Sequence, residues 1–259
     1  LPQLSASGLG LKIDGQMKGQ NMESDNGTLD GRLAIKGNKL TPLLRAMGQQ
    51  NLAKSVKAID IDAGIKGTMA NLTLSPLAIV MKVQNAPTKK PVNVTLTAKT
   101  THANLDKETL SVDGLSLKGL GMNITGNVNA SKIKTEPKFE GKLNVPAFNL
   151  RNVMRSLSIE IPPMASRKSL TKFGMTTKFN GSNNSFAMKN LLMNLDGSNL
   201  TGNLSVANFE SPAVRFDIDI DRINADNYLA PTPKGKSRPI TPETAAAGAT
   251  QLPVKTLRG

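Results

Sequence analysis

Apolar and polar residues alternate with a period of two along most of this chain. Val92, Val94, Leu96 and Ala98 alternate with Asn93, Thr95, Thr97 and Lys99, and Val214, Phe216, Ile218 and Ile220 alternate with Arg215, Asp217, Asp219 and Asp221. Successive side chains of a strand point to opposite faces, so this pattern predicts strands with one apolar and one polar face. Shorter runs of the same kind occur at 9–13, 33–35, 59–65, 72–74, 143–145 and 204–206. Clusters such as Asp25-Asn26-Gly27 and Asp196-Gly197-Ser198-Asn199 separate the runs at hairpin length, which favours antiparallel connections.

The pattern repeats. Residues 100–130 lie without gaps on 176–206: Thr100-Thr101 falls on Thr176-Thr177, Leu115 on Leu191, Gly121 on Gly197, and Thr125-Gly126-Asn127 on Thr201-Gly202-Asn203. Between the identities apolar meets apolar, as in Leu110 with Phe186, Val112 with Met188, Ile124 with Leu200 and Val128 with Leu204. A third, shorter copy covers 28–35. Such a unit of paired strands cannot bury its apolar face alone and stacks on its neighbours.

Two short amphipathic helices interrupt the strands. Thr41 as N-cap, Pro42 at the first helical position, apolar Leu43, Leu44 and Met47, and Gly48 as the stop predict the first. Asn149 as N-cap, Phe148 stapled against Val153, and Leu150, Val153, Met154 and Leu157 on one face predict the second. A further helical turn is expected near 52–56 and near 166–173. The fold class is therefore mainly β, with repetitive antiparallel strands over 1–230 and at least two short helices. Pro231, Pro233, Pro239 and Pro242, interleaved with small and polar residues, mark 231–251 as a flexible linker. Leu252, Val254 and Leu257 begin another β unit over 252–259, cut short, so the chain reads as a segment of something longer.

Composition narrows the chemistry. With no Cys, disulfides and thiolate chemistry are excluded. The single His, His102, sits in a strand pattern without partners for ligation or general base work. Asp217, Asp219 and Asp221 stand at the one, three and five spacing of a calcium loop, but Arg222 and Tyr228 occupy the positions that need Gly and Glu. No phosphate-binding, dinucleotide-binding or hydrolase motif is present, so the chain reads as non-enzymatic and free of metal and cofactor. The 33 Lys and Arg against 19 Asp and Glu give a formal net charge of +14, which favours anionic partners. The cations are scattered singly and only 3% of residues are aromatic, which suits an anionic lipid surface better than nucleic acid. No run approaches the roughly 20 apolar residues of a membrane-spanning helix.

From Phe139 onward the motifs resemble the C-terminal region of AsmA-family domains. They are Phe139-Glu140-Gly141-Lys142-Leu143, Phe148-Asn149-Leu150-Arg151, Leu195-Asp196-Gly197-Ser198-Asn199-Leu200-Thr201-Gly202, and Phe216-Asp217-Ile218-Asp219-Ile220-Asp221 leading to Asp226-Asn227-Tyr228-Leu229. The resemblance implies a curved, groove-like sheet, half-barrel or taco-shaped, similar to bridge-like lipid transfer proteins. It also implies a periplasmic location, as part of a longer protein anchored in the bacterial inner membrane. The function it implies is binding or conducting phospholipid, or another anionic envelope lipid, between inner and outer membrane. The alternative is a non-catalytic envelope assembly scaffold for outer-membrane protein or lipopolysaccharide biogenesis, with protein partners outside this segment. Alternation alone also allows a closed sandwich; the resemblance favours a groove. The expected lining is Leu110, Val112, Leu115, Leu117, Ile124 and Val128 in one copy, and Phe186, Met188, Leu191, Met193, Leu200, Leu204 and Val206 in the other, continued by Val214, Phe216 and Ile218.

Overall fold

The computed structural model describes residues 3–24 and 27–231. The chain folds as an antiparallel meander. Its first strands are β1 (Gln3–Gly8), β2 (Leu11–Gln20) and β3 (Thr28–Asn38). Two short helices, α1 (Thr41–Ala46) and α2 (Gln50–Ser55), lead to β4 (Val56–Thr68) and β5 (Asn71–Gln84). Next come β6 (Pro91–Ala98), β7 (Thr100–Asn104), β8 (Thr109–Gly119), β9 (Met122–Ser131) and β10 (Lys138–Phe148). Helix α3 (Leu150–Ser156) precedes β11 (Phe173–Ser182), β12 (Ser185–Leu195), β13 (Ser198–Ala207) and β14 (Ala213–Ile220).

All 14 strands belong to one sheet, in chain order from β1 to β14. β6 and β7 are two pieces of one line, broken at Lys99, and both lie between β5 and β8. β1 and β14 are not paired to each other, so the sheet stays an open, curved groove rather than a closed barrel. No helix among the described residues is long and apolar enough to cross a membrane.

The repeat seen in the sequence is a repeat of structure. β8 and β9 form the same hairpin as β12 and β13, down to a register shift between Val112 and Leu115 in one and between Met188 and Leu191 in the other. The left-handed backbone positions correspond too: Gly114 with Asn190, Leu120 with Asp196, Gly121 with Gly197. At Gly126 and at Gly202 a Cβ would collide with a carbonyl oxygen of the next strand, that of Lys142 and of Asp217, so each copy needs its glycine for close approach of two backbones.

Several boundaries differ from the sequence expectation. The run at 9–13 is not one strand, because Leu9 (φ 52°) and Gly10 form the β1–β2 turn. Thr41 does not cap α1: Leu40 takes that place without a side-chain cap, and the Thr41 hydroxyl donates to the Ala53 carbonyl, 3.3 Å away, tying α1 to α2. Asn149 does cap α3, its Oδ1 accepting from the Asn152 N–H at 2.9 Å. The turn expected near 52–56 is α2, whereas 166–173 holds a turn at 167–170 and no helix. The expected linker, apart from Pro231, and the unit at 252–259 lie outside the described residues.

Candidate functional site: a continuous apolar face

Register decides which side chains share a face, because directly paired residues point the same way. One row runs Leu110, Ala130, Phe139, Gly181, Phe186, Val206, Val214 from β8 to β14. A second runs Val112, Val128, Gly141, Phe179, Met188, Leu204, Phe216. Leu115 pairs with Gly126, Leu117 with Ile124, Met193 with Leu200, and Gly202 with Ile218. Leu191 also joins this face, opposite Gly202. All of the expected lining residues therefore share one face. Thr201 pairs with Asp219 and Asn203 with Asp217 on the other.

The face also reaches back into strands from which the sequence reading drew no lining residues. Leu117 continues through Leu96, Ile79, Ile61 and Ile35 to Ile13, so one aliphatic row crosses from β2 to β9. The alternation that carries these residues is plain in the sequence. Only pairing places them beside the later copies.

Most of this face has no second layer over it. The lining residues are half-buried, except Leu191, enclosed at 1% exposure, and Val214 and Phe216 on the edge strand, at 55% and 73%. Full burial concentrates where the helices sit. Leu40 lies over Gly37 beside Leu11 and Ile59; Ala53 of α2 and Val153 of α3 are also buried, as are Val83, Val94 and Val145 at the same end of their strands. Away from the helices the face is widened by rings: Phe179 covers Gly141, Phe139 covers Gly181, and Phe179 stacks at 6.3 Å on Phe186. Aromatic rings laid over strand glycines fill the gap that a missing side chain leaves.

A polar knot holds the end of the described chain onto this scaffold. Asp196, in the β12–β13 turn, accepts from the N–H groups of Leu170 (2.6 Å), Thr171 and Lys172 (both 2.9 Å) and from the Tyr228 hydroxyl (2.8 Å). Partial burial opposes its ionisation, but these donors outweigh it and hold the carboxyl below its ordinary value. Burial, then the bond to Asp196 and its charge, push the Tyr228 hydroxyl up to about 12. Arg151 braces the same segment by donating to the Ser169 carbonyl at 2.9 Å, while Ala165 N–H donates to the Leu229 carbonyl at 2.8 Å. Asp196 and Tyr228 both stand in the sequence motifs, but no local spacing links them.

The remaining candidate chemistry is spread out. His102 Nδ1 is 2.9 Å from the Thr73 hydroxyl on the polar face, and Asp221 accepts from the N–H and side-chain amide of Asn199, both at 2.8 Å. Among the described residues no group of three His, Cys, Asp or Glu is placed to hold a metal ion. Set against known proteins, the chain matches no family model, no curated protein and no solved structure.

Proposed function

We propose that the chain is a segment of an AsmA-like periplasmic protein whose groove seats the acyl chains of phospholipid and lets them move along it. One observation carries this reading: an apolar face continuous from β2 to β14 and left half-exposed by everything else in the fold. Apolar area in contact with water costs on the order of 25 cal/mol per Å², so an occupant that removes it is strongly favoured. Twelve strand positions from β2 to β14, at about 4.8 Å each, give a path of roughly 55 Å, enough for several lipids side by side. The lining is apolar, with the rings of Phe139, Phe179, Phe186 and Phe216 set among aliphatic side chains, which suits acyl chains that slide rather than a ligand held in one pose. Movement of this kind needs no catalytic group, in keeping with a chain read as non-enzymatic, anchored elsewhere in the inner membrane.

The test is a photocrosslinking residue at Met188, Leu204, Thr201 or Asn203 in turn, irradiated in cells and analysed by mass spectrometry. Lipid adducts are expected at Met188 and Leu204 alone. Equal labelling at all four, or none in a folded protein, would sink the groove reading; a stoichiometric protein adduct at Met188 and Leu204 would favour an assembly scaffold instead.

A further inference from the structure

The two rims of the groove differ in charge. One rim carries the β3–β4 and β10–β11 connections with all three helices, together with the β1–β2, β5–β6, β8–β9 and β12–β13 turns; the other carries only hairpin connections. The helix-bearing rim holds Arg45, Lys89, Lys90, Arg155, Arg167 and Lys168, all exposed and none in an ion pair among the described residues. Acids there are fewer, namely Glu160, Asp221, Asp226 and the already engaged Asp196. On the hairpin rim, cations are matched by acids. Lys132 pairs with Glu136 at 3.6 Å, Lys134 is taken up by the Leu105 carbonyl at 2.7 Å, and Lys107 stands between Asp106 and Glu108.

Helix α3 gathers part of this charge into one place. Its Val153 is buried against the scaffold and Arg155 is exposed on the outside. At its C-terminal end the Ser156 carbonyl accepts from Ala86 N–H at 3.0 Å, and the Ser156 hydroxyl accepts from the Asn85 side-chain amide at 3.2 Å. These bonds set Arg155 beside the hairpin that carries Lys89 and Lys90. The apolar face ends just inside, at Val83, Val94 and Val145. Apolar wall and unpaired cations thus follow one another over a short distance, in the order in which acyl chain and phosphate follow one another in a phospholipid.

We infer that phospholipids in the groove project their headgroup phosphates through the helix-bearing rim, where Arg45, Lys89, Lys90, Arg155, Arg167 and Lys168 select anionic headgroups. This rests on the lipid-groove reading above. Charge of this kind acts over a Debye length, about 8 to 10 Å at physiological salt, so a loose ring of cations is sufficient.

The test compares Lys89→Glu/Lys90→Glu/Arg155→Glu with a control carrying the same charge change on the hairpin rim, Lys107→Glu/Lys132→Glu/Lys138→Glu. Each purified protein is stripped of lipid, checked for native circular dichroism, and incubated with vesicles of equal phosphatidylglycerol and phosphatidylcholine. Lipid that stays bound after separation from the vesicles is then quantified by class. Wild type and control should retain phosphatidylglycerol in excess, and the helix-rim variant should keep the total while the ratio falls roughly fivefold towards unity. An unchanged ratio in the helix-rim variant, or an equal fall in both variants, overturns the headgroup assignment while leaving the groove. Vesicle association that changes with no lipid retained by any protein overturns the groove reading itself, and the assignment with it.

Discussion

The β8–β9 and β12–β13 hairpins share strand lengths, register shift and left-handed turn, yet the turn residue is Leu120 in one and Asp196 in the other. Leu120 accepts nothing through its side chain, whereas Asp196 collects three backbone donors and the hydroxyls of Tyr228 and Thr171. The comparison separates two layers of information. Backbone geometry is repeated and makes the groove wall; polar side chains are placed once, where a non-repeated segment must be fastened.

The strongest way to break the repeat is at its glycines. Gly126→Ala and Gly202→Ala should each destabilise by about 2 to 4 kcal/mol, because the added Cβ meets a carbonyl oxygen of the adjoining strand. Gly202 should be the worse of the two, since its φ of 145° strains an alanine as well. Gly121→Ala and Gly197→Ala, with open space around the new Cβ and only positive φ against them, should cost about 1 kcal/mol. Thermal and urea unfolding give the order. If all four alanines cost the same, close backbone approach is not what the repeat preserves.

Asp196 comes next. Asp196→Ala should cost about 2 kcal/mol, because it leaves three N–H groups and a hydroxyl to partial solvation. The sign of its pH dependence follows from the direction of each shift. Asp196 is lowered in the fold, so its contribution is present above its ordinary value of 3.8 and is lost as pH falls through the lowered value. Tyr228 is raised, so its contribution is present below 10 and is lost as pH rises through about 12. Tyr228 is the sole tyrosine, so its titration can be read directly from tyrosinate absorbance. Wild type should titrate near 12 and Asp196→Asn closer to 10; identical titrations would mean that the Asp196 contact contributes nothing.

What the sequence made legible divides along the same line. Period-two alternation reports the face of each residue within its strand, so Leu110, Met188 and Phe216 each read as apolar-face positions, and strand pairing then joins them. The repeat alignment found the matching turns because it compares positions within one pattern. The knot left no such trace, since the donors to Asp196 come from 170–172 and from Tyr228, and no local spacing signals them. The same contact explains why 166–173 is not the expected helical turn: the N–H groups of Leu170, Thr171 and Lys172 are turned to the Asp196 carboxylate rather than to carbonyls of a preceding turn. Thr41 failed as a cap for a related reason, its hydroxyl being used by Ala53 across the helix pair.

The smallest expected effect sharpens the comparison most, and it comes from moving the acid into the other copy. Leu120 sits at φ 53°, a left-handed conformation that a leucine adopts at a cost and that an aspartate tolerates better. Its side chain is half-buried, so Leu120→Asp loses part of the 1.5 to 3 kcal/mol, roughly, that a fully buried leucine contributes. Relief of strain and loss of burial nearly cancel, and the net change should stay within about 0.5 kcal/mol. Among the described residues no counterpart of 170–172 is fastened to the Leu120 turn, so the new carboxylate gains no donors. Urea unfolding of Leu120→Asp beside Asp196→Leu therefore gives a near-zero value and a large one at matched positions of the same hairpin. Should Leu120→Asp stabilise by more than 1 kcal/mol, the turn itself would be supplying the donors, and the value of Asp196 would belong to the repeat rather than to the segment it fastens.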